Sequence, residues 1–223
     1  MPSDLTDAAD PHEQFPSAFF ERSDEGSDEL FYGVERLVTH IDDAAIVAVG
    51  ELYEGLEVNG DVLDLMSSWI SHFRTAPASL TVLGMNRREL ESNPMATSVV
   101  VHDLNSEPDL PFSDDTFDDV VCCVSIDYLT RPIDVLRDVR RVLRPGGRCV
   151  CTFSNRCFPT KAIRGWLMLD DAQRIALVSL YFDLAGGFSQ ATTDIRLDGS
   201  RGDPLFAVWA RAELDPSSGQ RVS

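Results

Sequence analysis

The chain has 223 residues, 43% of them hydrophobic, which suffices for one sizeable core but leaves little room for two full domains. Asp and Glu number 37 against 19 Lys and Arg, and the net charge of -18 argues against non-specific nucleic-acid binding, which needs cationic patches. No apolar run approaches the ~20 residues of a membrane-spanning helix, and the N-terminus lacks the basic and apolar parts of a secretory signal. We therefore expect a cytoplasmic protein without a membrane or nucleic-acid partner.

Lysine is almost absent from the chain. Lys161 is the single lysine, whereas acidic residues are spread over the whole sequence. Such a surface repels itself in dilute buffer and stays hydrated where counterions are abundant. The composition resembles that of proteins from salt-loving microbes, so we expect an acidic, halophilic protein whose fold loosens in low salt.

The first part of the chain divides into a tail and a helical segment. Residues 1–29 are rich in Asp, Glu, Ser, Pro and Gly and have little periodicity, which predicts an acidic mobile tail. Apolar residues then recur at three- and four-residue steps, which predicts an N-terminal helical segment over residues 30–58. A turn signal at Asn59-Gly60 ends this segment. Residues 59–212 form the main domain, and residues 213–223 are expected to be a C-terminal tail.

Strands and helices alternate through the main domain. Short Val- and Leu-rich runs separated by helical stretches predict an α/β fold, in which a parallel sheet is covered on both faces. Turn formers between the last two β-rich runs predict a closing antiparallel hairpin. The predicted strands are residues 62–66, 80–84, 98–101, 119–124, 148–153, 192–197 and 205–210, and the predicted helices are residues 87–92, 132–143 and 170–184.

Polar residues follow four of the predicted parallel strands. These residues are Asp64, Asn86, Asp103 and Ser125. In an open parallel sheet, ligands bind beyond the carboxyl ends of the strands, so the four positions predict one binding site. A dinucleotide would require G-x-G-x-x-G after the first strand, and this motif is missing, which argues against NAD.

Two blocks of the sequence resemble a known family. "LPFSDDTFDDVVCCVSIDYL" followed by "VLRDVRRVLRPGGRCVCTFS" is similar to the second half of the class I S-adenosylmethionine-dependent methyltransferase core, of the methyltransferase type 11-like kind. That family commonly shows LPF-x-D-x-x-FD and L-[KR]-PGG at this separation. The resemblance covers about residues 60–210. It implies a Rossmann-like, doubly wound sheet of seven strands, the last antiparallel, with S-adenosyl-L-methionine as cofactor.

The resemblance implies how the first turn would meet this cofactor. Asp64 would hold the amino end of the methionine part, and the turn of Met66, Ser67 and Ser68 would offer backbone N–H groups near its carboxylate. Family members usually have a glycine-rich turn here, whereas this chain has serines. The stretch "DLMSSWISHF", with "GMNRREL" and "FSNRCFPTKAI", resembles a little-characterised subgroup with the same substituted turn.

The remaining cofactor contacts follow the next strands. Asn86 falls where the family often has an acidic residue that binds the two ribose hydroxyls. Asp103 and Leu104 would contact the adenine, and Ser125 would lie beside the methionine part. A neutral amide at position 86 lacks the charge-assisted strength of a carboxylate, which would weaken binding by ~1 kcal/mol.

Methyl transfer from a sulfonium needs positioning more than a particular catalytic side chain, so we assign none. Scattered histidines predict no metal site. We expect a methyltransferase acting on a small-molecule acceptor; the alternatives are a catalytically silent module of the same fold and a thiol enzyme using Cys157. The candidate acceptor contacts are Tyr32, Tyr128, Asn155, Arg156 and Lys161.

Overall fold

The computed structural model describes residues 10–214, and a seven-stranded sheet forms its centre. The strand order is β3-β2-β1-β4-β5-β7-β6, with β1 to β5 parallel and β7 antiparallel to both neighbours. This arrangement confirms the predicted mostly parallel sheet with a C-terminal antiparallel hairpin. The strands are β1 (Asp61–Leu65), β2 (Ser79–Gly84), β3 (Ser98–Val101), β4 (Phe117–Cys123), β5 (Leu143–Phe153), β6 (Thr192–Leu197) and β7 (Leu205–Arg211).

Six α-helices accompany the sheet within residues 10–214. Alternate residues of each strand point to opposite faces of the sheet, so the buried strands contribute side chains to two apolar clusters, one on each face. Leu63 joins the cluster beneath α4 and α6, whereas its neighbour Val62 joins the cluster beneath α2. None of the helices is long and apolar enough to cross a bilayer. The helices are α1 (Asp28–Tyr32), α2 (Asp43–Gly55), α3 (Arg87–Glu91), α4 (Pro132–Val142), α5 (Arg164–Met168) and α6 (Asp171–Ala185).

The long helices begin and end where local chemistry requires it. Asp170 and Gln173 form a reciprocal capping box at the start of α6, and Gly186 ends that helix with φ 74°. Pro132 opens α4, where its missing N–H costs no hydrogen bond. The predicted helices over residues 132–143 and 170–184 are therefore confirmed to within one residue at each end.

The connection between β1 and β2 contains no helix, unlike the usual crossover between parallel strands. Residues 66–78 instead form an extended connection, hereafter the β1–β2 loop, which packs on α2 through the ring pair Tyr53–Phe73, 4.7 Å apart. Ser67 donates its N–H to the Leu83 carbonyl at 2.7 Å, and its own carbonyl lies where a Cβ at Gly84 would be. The loop thus lies directly on β2.

The N-terminal segment departs from both sequence predictions. Residues 10–42, hereafter the strap, run across the carboxyl edge of the sheet, so the predicted mobile tail is wrong for residues 10–29. The predicted helix is wrong for residues 33–42, which have no helical turns and leave Val34 and Val38 exposed. Residues 1–9 of the predicted tail, and residues 215–223 of the predicted C-terminal tail, lie outside the described residues.

Buried charges hold the strap against the domain. The Lys161 ammonium, with no exposed surface, lies 3.0 Å from Asp28 and 3.1 Å from Asp24 and donates to the Gly26 carbonyl at 2.8 Å. Arg22 binds the same Asp28 carboxylate at 2.7 Å. Burial by itself would raise the pKa of Asp28, but the bonds from Arg22, Asn105 and Lys161 bring it below its ordinary value. Charge pairing therefore holds the middle of the strap, while Phe15, Phe19 and Phe20 pack its first part on the core.

Candidate functional site

A cavity of about 490 Å³ lies at the carboxyl ends of β1 to β5, beneath the strap. Its volume is in the range of pockets that enclose a small organic ligand. All eight predicted cofactor contacts lie in its wall, so the structure brings them together around one cavity. They are Asp64, Met66, Ser67, Ser68, Asn86, Asp103, Leu104 and Ser125.

Asp64 is the buried carboxylate of this wall. It ends β1, is 3% exposed and accepts a hydrogen bond of 2.6 Å from the Ser67 hydroxyl. Burial raises the pKa of Asp64 to about 6, against the lowering effect of the bonds from Ser67 and Ser71. The side chain is therefore ionised at neutral pH, and a cationic ligand group would relieve its desolvation.

Glu89 is a second carboxylate in the wall, and the sequence analysis missed it. Its Oε2 accepts the Ser68 hydroxyl and its Oε1 accepts the Arg36 backbone N–H, both at 2.6 Å. The two serines of the substituted turn thus each hold one acidic side chain at the cavity. Glu89 stands in the first turn of α3, after the Asn86 cap, and that spacing was the available signal.

Left-handed backbone follows two central strands. Met66 after β1 has φ 55°, and Val124 after β4 has φ 46°. These conformations favour glycine and cost of order 1–3 kcal/mol in other residues. The positive φ falls on Met66 and not on Ser67 or Ser68, the serines that stand where the family usually has glycines. Met66 and Val124 both line the cavity.

Asn86 lies in the wall, but most of its amide is engaged. Its Oδ1 accepts the backbone N–H groups of Arg88 at 3.1 Å and Glu89 at 3.3 Å, which caps α3. Its Nδ2 donates to the Tyr32 carbonyl in the strap at 2.9 Å. Asn86 therefore joins α3 to the strap, and the geometry does not favour the expected ribose contact.

The other predicted cofactor contacts also make local hydrogen bonds. Asp103 accepts from the Asn105 N–H at 3.0 Å and from the Ser106 hydroxyl at 2.8 Å, which closes the turn after β3. Ser125 donates to the Cys123 carbonyl at 2.9 Å. Leu104 presents an apolar side chain, 4% exposed, in the wall. These bonds fix the shape of the wall and leave the carboxylate of Asp103 with acceptor capacity.

Four of the five candidate acceptor contacts reach the cavity and one does not. Tyr32, Tyr128, Asn155 and Arg156 line it, and the Tyr128 hydroxyl accepts the Phe158 N–H at 2.9 Å. Lys161 is absent from the wall because its ammonium is buried among the strap residues, so it is a structural residue. The prediction of an acceptor contact is wrong for this position.

Burial favours the neutral forms of two further reactive side chains of the wall, Cys157 and His72. Burial raises the pKa of the Cys157 thiol, which disfavours the thiolate that a thiol enzyme needs. Burial lowers the pKa of His72 to about 4, with a further lowering from His40. Within residues 10–214 no group of three or more His, Cys, Asp or Glu side chains is arranged to hold a metal ion.

Sequence comparison identifies the central domain. Residues 60–151 match a family model described as "Methyltransferase domain". A segment of 46 residues is 52% identical to the ubiquinone/menaquinone biosynthesis C-methyltransferase UbiE of Desulfotalea psychrophila. That segment covers 19% of this chain and 17% of the relative, so the chain matches only a small part of the relative's length.

Solved structures share the fold over most of the chain. The PH0226 protein from Pyrococcus horikoshii has a TM-score of 0.55 and 16% identity, and the match covers 84% of this chain and 100% of that one. A SAM-dependent methyltransferase from Aquifex aeolicus has a TM-score of 0.52 and 14% identity, over 77% and 94% of the two chains. A chain of a Haloferax volcanii complex containing the Trm112 methyltransferase activator has a TM-score of 0.52 and 18% identity, over 77% and 98%.

The sheet order, the cavity at its carboxyl edge and these structural relatives define a Rossmann-like methyltransferase fold. Residues 60–151 thus match a methyltransferase domain, in the part of the chain where the sequence motifs resemble class I S-adenosylmethionine-dependent methyltransferases.

Proposed function

We propose that this protein binds S-adenosylmethionine in the cavity and transfers its methyl group to a small-molecule acceptor. One observation carries the proposal: the buried Asp64 carboxylate is presented to an enclosed cavity at the end of β1, with Ser67 holding it in place. A buried, ionised carboxylate without a cationic partner favours a ligand that brings positive charge. The methionine amino group and the sulfonium both do so.

Different side chains of the wall would contact different parts of the cofactor. Asp64 would accept a hydrogen bond from the methionine amino group. Glu89 would bind the ribose hydroxyls in place of the acidic residue that the family often has at the position of Asn86. Leu104 would pack on the adenine face, with Asp103 at its amino group. When bound, the cofactor supplies a methyl group that an acceptor's nucleophilic atom takes, while the C–S electron pair stays on sulfur and the acceptor's proton passes to water.

The strap closes the cavity from above and limits the size of the acceptor. Tyr32 and Tyr128 lie in the wall on the side of β4 and β5, where the acceptor would be held and water excluded. The enclosed volume, together with the acidic overall charge, supports a small molecule in preference to nucleic acid. The same charge and the reduced cysteines support the proposed cytoplasmic location.

Calorimetric titration with S-adenosylmethionine and S-adenosylhomocysteine, in about 1 M KCl to screen the acidic surface, tests the binding step. The variant Asp64→Asn removes the charge that carries the proposal and should weaken binding roughly tenfold to hundredfold. Asp61→Asn is the matched control, because Asp61 lies at the opposite end of β1 and pairs with Arg144 at 2.9 Å. Equal affinities of the two variants would contradict the proposal.

The transfer step requires a separate test. Methyl-tritiated cofactor incubated with the protein and a metabolite extract should yield labelled small molecules, and Asp64→Asn should lose most of the label. The carboxylate titrates at about pH 6, so affinity should also fall as the pH drops below that value. Affinity that does not change between pH 5 and pH 8 would exclude Asp64 as the ammonium acceptor.

A second candidate function is a catalytically silent module of the same fold. The N–H of Ser67 is bonded to Leu83, Asn86 caps a helix, and the turn after β1 leads into no helix, so three usual cofactor contacts are altered. Saturable cofactor binding followed by no transfer of label to any extract component would favour this candidate.

A further inference from the structure

The cavity wall contains both carboxylates and arginines. Three of its carboxylates have no cationic partner among residues 10–214: Asp64 near the end of β1, and Glu89 and Asp103 after β2 and β3. Asp28 also reaches the cavity, but Arg22 and Lys161 neutralise it. Two arginines lie in the same wall: Arg36 on the strap, whose backbone N–H binds Glu89, and Arg156 in the loop after β5. A chain of net charge -18 thus places two cations where the acceptor would lie.

Arg36 has no acidic partner within salt-bridge distance among residues 10–214, although most arginines in that range have one. Its Nη1 donates to the Phe31 carbonyl at 2.8 Å and the Val34 carbonyl at 3.2 Å. Its guanidinium carbon lies 4.6 Å from the Phe31 ring centre and 5.7 Å from that of Phe158. The group is therefore held in place, with its Nε and Nη2 donors still available in the described part of the chain.

Arg156 is the weaker of the two cations. Its Nε lies 3.7 Å from Asp203, and the side chain is mostly exposed. Between the arginines the wall is aromatic, because the rings of Tyr128 and Phe158 lie 6.0 Å apart with 33° between their planes. A planar guanidinium beside flat rings suits an organic molecule that carries carboxylate or phosphate oxygens on a ring.

From this geometry we infer that the acceptor is a small aromatic anion and that Arg36 is the specificity-determining residue that binds its carboxylate or phosphate group. The inference rests on the proposed function, since it places the acceptor beside the bound cofactor. Arg156 adds long-range attraction at the mouth of the cavity. Asp64 repels an anion from the end of β1, whereas the Arg36 guanidinium, which extends from its backbone contact with Glu89 toward the Phe158 ring, attracts it.

Three probes of similar shape test the inference: benzoate, phenyl phosphate and neutral benzamide, titrated by ligand-observed NMR at one KCl concentration. The anions should bind about tenfold more tightly than benzamide, the gain expected of a charge-assisted bidentate contact. The relative affinity of benzoate and phenyl phosphate shows which anionic group the cavity prefers. Arg36→Gln should remove the preference for anions and leave the affinity for benzamide unchanged, and Arg36→Lys should retain part of it.

Arg88→Gln is the matched control, because Arg88 is exposed on α3, pairs with Glu35 and does not line the cavity. If Arg36→Gln does not fold, Arg36→Lys and the wild type decide the question. Equal affinity for benzoate and benzamide, or a preference unchanged in Arg36→Gln, would overturn the inference. The probes are titrated with and without S-adenosylhomocysteine. A failure of cofactor binding is then seen separately, and the titrations without cofactor still show whether the cavity prefers anions.

Discussion

The two central strands β1 and β4 lead into connections that are built in opposite ways. After β4 the chain forms α4, whose apolar side, including Ile133, Leu136 and Val139, is fully buried. After β1 the chain forms the β1–β2 loop, which lies beneath the strap and is held by polar side chains. Helical backbone satisfies its own hydrogen bonds, whereas an irregular loop must find partners for each group. The β1–β2 loop, on the polar side, lines the cavity, whereas α4, on the apolar side, contributes no residue to the cavity wall.

The comparison extends to one buried carboxylate on each side. Asp64 lies near the end of β1 and has the Ser67 hydroxyl as partner, whereas Asp127 follows β4 and its Oδ2 has no partner within residues 10–214. Burial raises the pKa of Asp64 to about 6 and that of Asp127 to about 8. The ionised form of Asp64, on the polar side, is thus better stabilised than that of Asp127, on the apolar side.

The largest expected effect is a pH dependence of stability. Both folded-state pKa values lie above the unfolded value of about 3.9, so the folded state binds more protons and stability falls as pH rises. The slope should reach about 1.4 kcal/mol per pH unit for each group, up to about pH 6 for Asp64 and about pH 8 for Asp127. Urea unfolding of Asp64→Asn and Asp127→Asn across this range measures each window. Asp127→Asn with the wild-type slope between pH 6 and pH 8 would refute the assignment.

The second prediction concerns the buried charge cluster of Lys161, Asp24 and Asp28, which holds the strap against the domain. Lys161→Met leaves Asp28 and Asp24 with one cation fewer in a buried cluster, and we expect a loss of about 3 kcal/mol in unfolding free energy. Arg137→Met is the control, because its pair with Asp134 lies on the surface of α4 and should contribute at most about 0.5 kcal/mol. Similar losses in the two variants would show that the strap is not held by charge.

A third variant probes the polar support of the β1–β2 loop. Asn93 is 5% exposed and donates to the Ser71 hydroxyl at 2.7 Å and the Ser68 carbonyl at 3.2 Å. Asn93→Ala should therefore lower the unfolding free energy by about 2 kcal/mol, since it leaves loop groups without partners. The exposed neighbour Ser92→Ala should cost little. If thermal unfolding shows no difference between the two, the loop does not depend on this contact.

The smallest expected effect separates backbone strain from packing. Met66→Gly and Met66→Ala both remove the side chain, but only glycine adopts φ 55° without strain, so the glycine variant should be more stable by about 1 kcal/mol. The same order should hold for Val124→Gly against Val124→Ala on the other side of the cavity. An alanine variant that matches or exceeds its glycine counterpart in chemical denaturation would show that these turns carry no strain.

The sequence predicted the apolar side of this molecule better than the polar side. The period of apolar residues in α4 and α6, and the Gly and Pro residues that end them, determine those helices locally. Residues 10–29 of the strap gave no such pattern, and the charges that hold them come from a distant part of the chain, since Lys161 lies far from Asp24 and Asp28 in sequence. Composition alone therefore predicted a mobile tail where long-range charge pairing produces an ordered segment.

The candidate site shows the same limit. Strand ends predicted four of the eight wall residues, since the carboxyl edge of a parallel sheet follows from strand assignment, and the family resemblance implied the other four. Hydrogen bonding did not follow: Asn86 caps α3, and Ser67 and Ser68 hold Asp64 and Glu89. Partners of this kind depend on how separate segments meet, which a single sequence does not contain.

Asp28 belongs both to the charge cluster with Lys161 and to the cavity wall, so a ligand in the cavity lies close to a contact that holds the strap in place. Transient opening would expose the peptide bonds after Arg22 and Arg36 to trypsin. A molecule that fills the cavity would slow this cleavage, and limited digestion thus offers a screen for ligands that needs no knowledge of the reaction.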